Sequence, residues 1–211
     1  SVLKSLPELD CAIVGEPTLM QLAIAEKGLL VLDVKVKGTP SHAAHQNNDS
    51  AIYKAIPIIE WFKNYAFEKI SEQLGPVKMT VTQINAGSQH NVVPSECNLV
   101  VDIRVNDCYT NTEILQIAKD NIDAEVTPRS MHLNASSIPV SHELVQAGIR
   151  LGRATYGSPT LSDQSVLSCK SLKLGPGDTL RSHSADEFIY LSEIEEGIDL
   201  YIKILEDFLK L

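Results

Sequence analysis

The chain has 211 residues, of which 44% are hydrophobic and 21% are charged, so it is too apolar for disorder and long enough for one sizeable core or two small ones. Its 27 acidic and 18 basic residues give a net charge of -9 without any run of like charge. This balance argues against a nucleic acid or an anionic membrane as partner and favours a small molecule.

The cysteines and the apolar runs indicate a cytoplasmic protein. The four cysteines are far apart and form no CxxC pair, which is typical of reduced thiols and excludes a zinc finger. No stretch reaches the roughly 18 to 20 apolar residues of a membrane span, and no signal organisation opens the chain. The first residue is Ser, and an apolar run follows almost at once, which predicts a truncated start; a processed tag or a removed Met explains it equally well.

Six segments between residues 28 and 134 have the periodicity of regular structure. Alternation of apolar and polar residues predicts strands, and apolar residues three or four apart predict helices. In chain order they are a strand at 30–37, a helix at 52–62, strands at 77–82 and 98–105, a helix beginning at the Thr110–Glu113 capping box, and a weak strand at 124–133. This order predicts a split βαββαβ domain with a four-stranded antiparallel sheet and both helices on one face.

The segments on either side of this domain do not form a complete fold of their own. Residues 1–27 predict one strand, which ends at Gly15-Glu16-Pro17, and residues 135–211 predict a helix, a short strand and a final amphipathic helix with Ser192 and Glu195 as its capping box. A helix with such an apolar stripe must cover a sheet. We therefore expect a discontinuous, incomplete α/β domain, formed by residues 1–27 and 135–211, into which residues 28–134 are inserted.

Two residues have the setting of metal ligands. Glu16 lies in VGEPT, where a stiff turn holds its carboxylate at the end of an apolar strand. His183 lies in GPGDTLRSHSADEF, where its imidazole can bind zinc with Asp186 or Glu187 orienting it. The alternatives are a turn carboxylate and a loop histidine that face water.

Three further residues are candidates for contact with a substrate. His42, in GTPSHAAH, can donate a hydrogen bond to a developing oxyanion, whereas the neighbouring His45 has no such support. Asn91 follows the second predicted strand, and Arg104 offers a planar fork for a substrate carboxylate. The alternatives are a loop histidine satisfied within the protein and a surface salt bridge from Arg104 to a neighbouring aspartate.

Five motifs in this order carry a family resemblance, although each is weak alone: VGEPT, KGLLVLDVKVKGTPSHAA, GSQHNVVPSECNLVVDIR, LSD and RSHSADEF. Together they resemble the dinuclear zinc peptidase family of acetylornithine deacetylase, succinyl-diaminopimelate desuccinylase, aminoacylase and carboxypeptidase G. The resemblance covers the whole chain and about the last three-fifths of the family's usual length. It implies that residues 28–134 are a lid that also forms a homodimer.

The resemblance also implies roles for single residues. Glu16 would bind one zinc ion and His183 the other, with cobalt as a substitute metal, and His42 would reach into the partner subunit's active site. Asn91, Arg104 and Ser162, the last in LSD, match positions that contact the substrate. The family's His-x-Asp motif, bridging aspartate and Glu-Glu pair precede GEPT and are missing, so we expect this chain alone to be inactive. Leu161 stands where the family often has Thr, which puts the Ser162 contact in doubt.

For the intact protein, the resemblance implies that two zinc ions activate a water that attacks the acyl carbonyl of an N-acyl amino acid. The favoured reaction is hydrolysis of N2-acetyl-L-ornithine to L-ornithine and acetate, in arginine biosynthesis. N-succinyl-ornithine and N-acetyl-citrulline are competing substrates. A di-zinc dipeptidase and a non-catalytic dimerisation module are the rival functions.

Overall fold

A computed structural model describes residues 7–210 of the chain. They form two compact units. The central unit contains residues 28–71 and 75–134, and the flanking unit contains residues 7–27, 72–74 and 135–210. No helix in the described part of the chain has the length and apolar character needed to cross a membrane.

Residues 7–210 contain eleven strands and four α-helices. The strands are β1 (Cys11–Val14), β2 (Leu22–Glu26), β3 (Gly28–Lys37), β4 (Ser41–His42), β5 (Lys78–Ala86), β6 (Val92–Val93), β7 (Glu96–Val105), β8 (Glu125–Pro128), β9 (Ser136–Ser137), β10 (Thr155–Ser158) and β11 (Lys170–Lys173). The helices are α1 (Ala51–Asn64), α2 (Asn111–Asn121), α3 (Glu143–Arg150) and α4 (Leu191–Leu209).

The central unit is built on a four-stranded antiparallel sheet in the order β5-β7-β3-β8. Every second residue of β3 is buried, and these side chains share one core with the buried residues of α1 and α2. Both helices therefore lie on the same face of the sheet. This arrangement confirms the predicted split βαββαβ fold, because the alternating pattern of the strands decides which face is covered.

The ends of the helices in the central unit depend on local hydrogen bonds. α2 begins behind the predicted capping box, in which Thr110 and Glu113 exchange hydrogen bonds. α1 continues through Pro57, although proline has no N–H to donate within a helix. Its N-cap residue is Ser50, and the Asp49 carboxylate instead binds the Thr39 hydroxyl and the Lys54 ammonium.

The flanking unit contains a five-stranded mixed sheet in the order β1-β11-β2-β10, with β9 also paired to β2. β1 and β11 are parallel, as are β2 and β10, whereas β11 and β2 are antiparallel. The strand predicted before residue 28 is β1 and the short strand predicted in the tail is β11. The expected number of strands was too small, because β2, β9 and β10 were not predicted. All five residues of β2 are buried, so its sequence lacks the alternation that marks a half-buried strand.

The predicted start and buried face of the last helix also need correction. α4 begins at Leu191, and the Tyr190 backbone N–H donates to the Glu193 carboxylate at 3.0 Å, so Ser192 and Glu195 are not its capping box. The spacing predicts a buried stripe of Ile194, Ile198, Tyr201, Leu205 and Phe208. In the structure the buried residues of α4 are Gly197 and Ile204, whereas Ile198 is 55% exposed. Apolar residues occur around much of this helix, so the spacing alone did not identify the buried stripe.

Candidate functional site

The loop that carries Glu16 is hydrogen-bonded to the loop that leads to His183. The backbone N–H groups of Thr18 and Leu19 donate to the carbonyls of Gly175 and Gly177, at 3.1 and 2.8 Å. A Cβ atom on Gly175 would lie 2.6 Å from the Glu16 carbonyl oxygen, closer than side chains approach. The glycine is therefore what allows these two segments of the flanking unit to lie side by side.

A cleft of about 320 Å³ lies between the two loops. Pro17, next to Glu16, lines one part of it, and Ser182 and Glu187 line another part beside His183. Glu16 is half-buried and His183 is exposed. The neighbours of both candidate ligands thus border the same cavity, although the two sequence motifs are more than 150 residues apart.

His183 has a left-handed backbone conformation, with a φ of 61°. Its backbone N–H donates to the Glu187 carboxylate at 3.0 Å. Asp186 or Glu187 was expected to orient the imidazole ring, but in the structure the Glu187 carboxylate binds the main chain instead. The ring is left without that partner, and the unusual backbone angle is a feature that the sequence did not reveal.

The metal donors that lie together in the described part of the chain are too few for a complete site. Among residues 7–210, no group of three or more His, Cys, Asp or Glu side chains is placed to hold a metal ion. A zinc site requires at least three protein ligands. Glu16 and His183 have suitable donor atoms, but the side chains described here do not fit a metal ion by themselves.

His42 and Asn91 are brought together in the central unit. β4 and β6 form a short two-stranded sheet in which His42 pairs with Val92. The Ala43 backbone N–H donates to the Asn91 carbonyl at 2.9 Å, and both the His42 and Asn91 side chains are exposed. The two predicted substrate contacts therefore lie beside each other at one end of the larger sheet.

The His42 ring has a defined hydrogen-bonding state. Its Nδ1 atom accepts a hydrogen bond from the Ala44 backbone N–H at 3.1 Å. An acceptor Nδ1 places the proton of a neutral imidazole on Nε2. The exposed Nε2–H is then a hydrogen-bond donor, as a group that stabilises an oxyanion must be.

The segment that carries His42 is fixed by contacts at both ends. A Cβ atom on Gly38 would lie 2.3 Å from the Asp49 carbonyl oxygen, so β3 can approach the start of α1 this closely only through a glycine. The Asn47 side-chain amide donates to the Thr39 carbonyl and the Ser41 hydroxyl at 2.8 and 2.7 Å. Hydrogen bonds from Thr39 and then Lys54 hold the pKa of Asp49 below its ordinary value.

Arg104 makes the neighbouring salt bridge that was the alternative to substrate binding. Its Nε and Nη2 atoms donate to the two Asp102 carboxylate oxygens at 2.8 and 3.1 Å. Within residues 7–210, Nη1 makes no hydrogen bond, so the Nη1–Nη2 edge of the guanidinium stays available. Asp102 orients the fork and leaves one of its edges for a second carboxylate.

Arg104 and Asn91 lie at opposite ends of the sheet in the central unit. Asn91 precedes β7, whereas Arg104 lies near its end, opposite Leu29 of β3 and Lys78 of β5. The eight residue steps from Glu96 to Arg104 span roughly 27 Å at about 3.4 Å per residue. No small substrate can touch both residues of a single copy.

A buried polar cluster in the flanking unit was not predicted. The Ser162 hydroxyl donates to Glu26 Oε2 at 2.7 Å, and the Lys173 ammonium lies 3.2 Å from the same oxygen. The Ser162 hydroxyl proton is therefore already donated to a group within the protein. The one signal in the sequence was a glutamate at the end of the otherwise apolar β2, since a buried carboxylate requires a partner.

The central unit matches a known family along nearly its whole length. The family described as a peptidase dimerisation domain of M20 proteins matches residues 24–129. The chain belongs to the M20 peptidase family. This M20 chain is 25% identical to a probable carboxypeptidase of Ajellomyces dermatitidis, over 96% of the chain and 50% of that protein. It is 26% identical to a [LysW]-lysine/[LysW]-ornithine hydrolase of Saccharolobus solfataricus, over 92% of the chain and 58% of that protein.

Solved structures show the same fold. The M20 chain superimposes on an M20 metallo-carboxypeptidase of Sulfolobus solfataricus with a TM-score of 0.70 and 13% identity, over 100% of this chain and 66% of that one. A dinuclear metal-binding M20 peptidase of Bacillus subtilis gives a TM-score of 0.66 at 13% identity, over 100% and 60%. The chain spans about half the length of the carboxypeptidases it matches.

Proposed function

We propose that this chain is part of a metal-dependent hydrolase that cleaves the amide bond between an acyl group and an amino acid. The observation that carries the proposal is the cleft of the flanking unit, because the neighbours of both Glu16 and His183 border it in an M20 chain. Each of these two residues would donate to one of two zinc ions, for which cobalt can substitute. The remaining donors must come from outside residues 7–210.

His42 is proposed as the catalytic hydrogen-bond donor. Attack on an amide carbonyl places negative charge on the carbonyl oxygen, and a preorganised donor stabilises that charge. The Ala44 N–H fixes the His42 tautomer before any substrate arrives, so no reorganisation is needed in the transition state. The exposed position of the ring at the end of β4 lets it act on a molecule outside the central unit.

Arg104, Asn91 and Ser162 are proposed as substrate-binding residues. The available Nη1–Nη2 edge of Arg104 suits the carboxylate of an amino acid, and Asp102 keeps the guanidinium in place. Asn91 would act together with His42, which lies beside it. Ser162 is the least supported of the three, because its hydroxyl already donates to Glu26.

The distance along β7 favours a site that is shared between two subunits. His42 and Arg104 lie at opposite ends of the sheet, so both contact one substrate only if they come from different copies. We therefore propose a homodimer in which His42 of one copy completes the site of the other. A two-fold symmetric dimer provides two such sites.

The edge of the sheet formed by β5 is the proposed dimer interface. β5 is nine residues long and pairs only with β7 among the described strands, so its outer edge offers unpaired backbone groups. α1 packs over the same strand and exposes Tyr53 and Ile56, which are 73% and 47% accessible. The opposite edge strand, β8, has only four residues.

The proposed substrate is N2-acetyl-L-ornithine, which would be cleaved to L-ornithine and acetate. A second candidate is the C-terminal amino acid of a peptide, which the similarity to probable carboxypeptidases favours. Both substrates place a free carboxylate next to the amide bond, as the proposed role of Arg104 requires. N-succinyl-ornithine and N-acetyl-citrulline share that feature.

The test uses the full-length gene product, loaded with zinc or cobalt and compared with the same protein after chelation. Its substrates are N2-acetyl-ornithine, N2-succinyl-ornithine, N-acetyl-citrulline and a set of dipeptides. We expect metal-dependent turnover with preference for acetyl-ornithine, and preference for dipeptides would transfer the assignment to the peptidase. A protein that forms dimers but neither binds metal nor hydrolyses any of these compounds would be a dimerisation module.

A further inference from the structure

We propose that Arg181 and Glu193 are positioning residues that keep the loop of residues 182–190, here called the His183 loop, in one closed conformation. The inference rests on the proposed function because that function makes His183 a residue of the site. Arg181 precedes the loop and Glu193 follows it, in the first turn of α4. The pair therefore joins the two ends of the segment that carries His183.

The contact between the two residues is a bidentate salt bridge. Arg181 Nη1 and Nη2 donate to the two Glu193 oxygens at 2.7 and 2.5 Å. The side chains are only 19% and 20% exposed, whereas those of the comparable Arg129–Asp33 pair are 52% and 48% exposed. Partial exclusion of water strengthens the interaction, and the planar fork fixes its direction.

Two aromatic residues at the end of the loop enclose the same guanidinium group. The Arg181 Cζ atom lies 5.0 Å from the centre of the Phe188 ring and 5.1 Å from that of the Tyr190 ring. The two rings meet edge to face, with centres 5.2 Å apart. Both are more than half exposed, so burial in a core does not hold them, whereas the arginine contacts both rings.

The closed loop holds His183 in a conformation that would not persist in a free chain. The left-handed angle of this residue is rare for a side chain larger than glycine. Two hydrogen bonds support it, one from the His183 N–H to Glu187 and one from the Ser184 hydroxyl to the Arg181 carbonyl. Both hydrogen bonds lie within the segment whose ends the Arg181–Glu193 pair joins. Breaking the pair therefore frees both ends of the segment that carries His183.

The experiment measures hydrogen exchange of the His183 loop in the full-length gene product by mass spectrometry. The variants are Arg181→Met, Arg181→Lys and Glu193→Gln. Arg129→Met is the matched control, because it breaks another bidentate arginine–carboxylate pair, which lies in the central unit. We expect exchange of the loop to rise about tenfold in Arg181→Met and less in Arg181→Lys, which keeps the charge but not the fork.

Turnover measurements show whether the Arg181–Glu193 pair acts by positioning His183. Arg181 lines the cleft, but both of its Nη atoms donate to Glu193. Its variants should therefore lower kcat about tenfold and change KM less than about twofold. Unchanged exchange of the loop, or an equal rise in the loop and in α3, would overturn the proposal. If Arg181→Met does not fold, Arg181→Lys and Glu193→Gln decide the question alone.

The result is separable from that of the proposed function. If the wild-type protein hydrolyses no amide, the proposed function fails, while loop exchange still reports on the salt bridge. If the wild-type protein is active and the variants exchange as slowly as it does, only the positioning role fails.

Discussion

The Lys173 ammonium lies 3.2 Å from the Glu26 carboxylate, and the two side chains are only 3% and 0% exposed. The same ammonium donates to the carbonyl and the hydroxyl of Thr160 at 3.0 and 3.1 Å. Its three donors are therefore all used inside the flanking unit. The pair connects β2 and β11 to the segment that carries Ser162.

Replacing Lys173 with Met is expected to lower the free energy of unfolding by about 3–5 kcal/mol, because it leaves a buried carboxylate without its counter-ion. Urea denaturation of the full-length gene product measures the change. Lys54→Met is the matched control, since the Lys54–Asp49 pair is 40% and 48% exposed and should contribute little. Equal shifts of the two urea midpoints would show that the buried pair contributes no more to stability than the exposed pair.

The fold of the central unit was predictable, whereas much of the flanking unit was not. β3 and β7 are covered on one face, so their sequences alternate and identify them. β2 is buried throughout, and a run of five buried residues has no period that distinguishes a strand from a buried helix. β10 has only four residues, too few for a periodic pattern. β11 was predicted as a short strand, but its place in the sheet depends on pairing with β1 and β2, which are distant in sequence.

Gly175→Ala should destabilise the flanking unit, because the added Cβ atom would lie 2.6 Å from the Glu16 carbonyl oxygen. The expected loss is about 1–3 kcal/mol, as for other overpacked positions. Gly15→Ala is the control, since a Cβ atom there meets nothing within 4 Å. Thermal unfolding of both variants gives the comparison. A stable Gly175→Ala protein would mean that the two loops can separate without cost.

The sequence names candidate site residues, which stay predictions, but it does not predict their contacts. The motifs single out Glu16, His42 and His183 as candidates because residue type and order are visible in a sequence. The Arg104–Asp102 bond and the use of Ser162 by Glu26 depend on side-chain directions that spacing leaves open. The His183 backbone angle is likewise set by the closure of its loop, which joins residues twelve positions apart.

Glu193 should titrate far below an ordinary glutamate. The hydrogen bond from Arg181, followed by that from the Tyr190 N–H, lowers its pKa to about 2. A depressed carboxylate pKa stabilises the folded state above the ordinary value of 4.5, and that stabilisation is lost as the pH falls from 4.5 to about 2. Carbon-13 NMR of the Glu193 side-chain carboxyl, followed as a function of pH, measures this pKa.

In Arg181→Met, the Glu193 pKa should move most of the way back toward 4.5. The pKa of Asp33, which its hydrogen bond to Arg129 lowers, serves as the internal control and should not move. A Glu193 pKa that stays near 2 in the variant would mean that the backbone N–H alone stabilises the charge.

His42→Ala should lower kcat of the full-length enzyme by about 10² to 10³-fold with little change in KM, since the Nε2–H acts on charge that develops only in the transition state. His45→Ala, three residues away, should have little effect.

Mixing His42→Ala with His183→Ala subunits tests whether His42 of one subunit acts in the site of the other. Random exchange makes half of the dimers mixed, each with one intact site, so about one quarter of the wild-type activity should return. No recovery despite demonstrated subunit exchange would place His42 in the site of its own subunit.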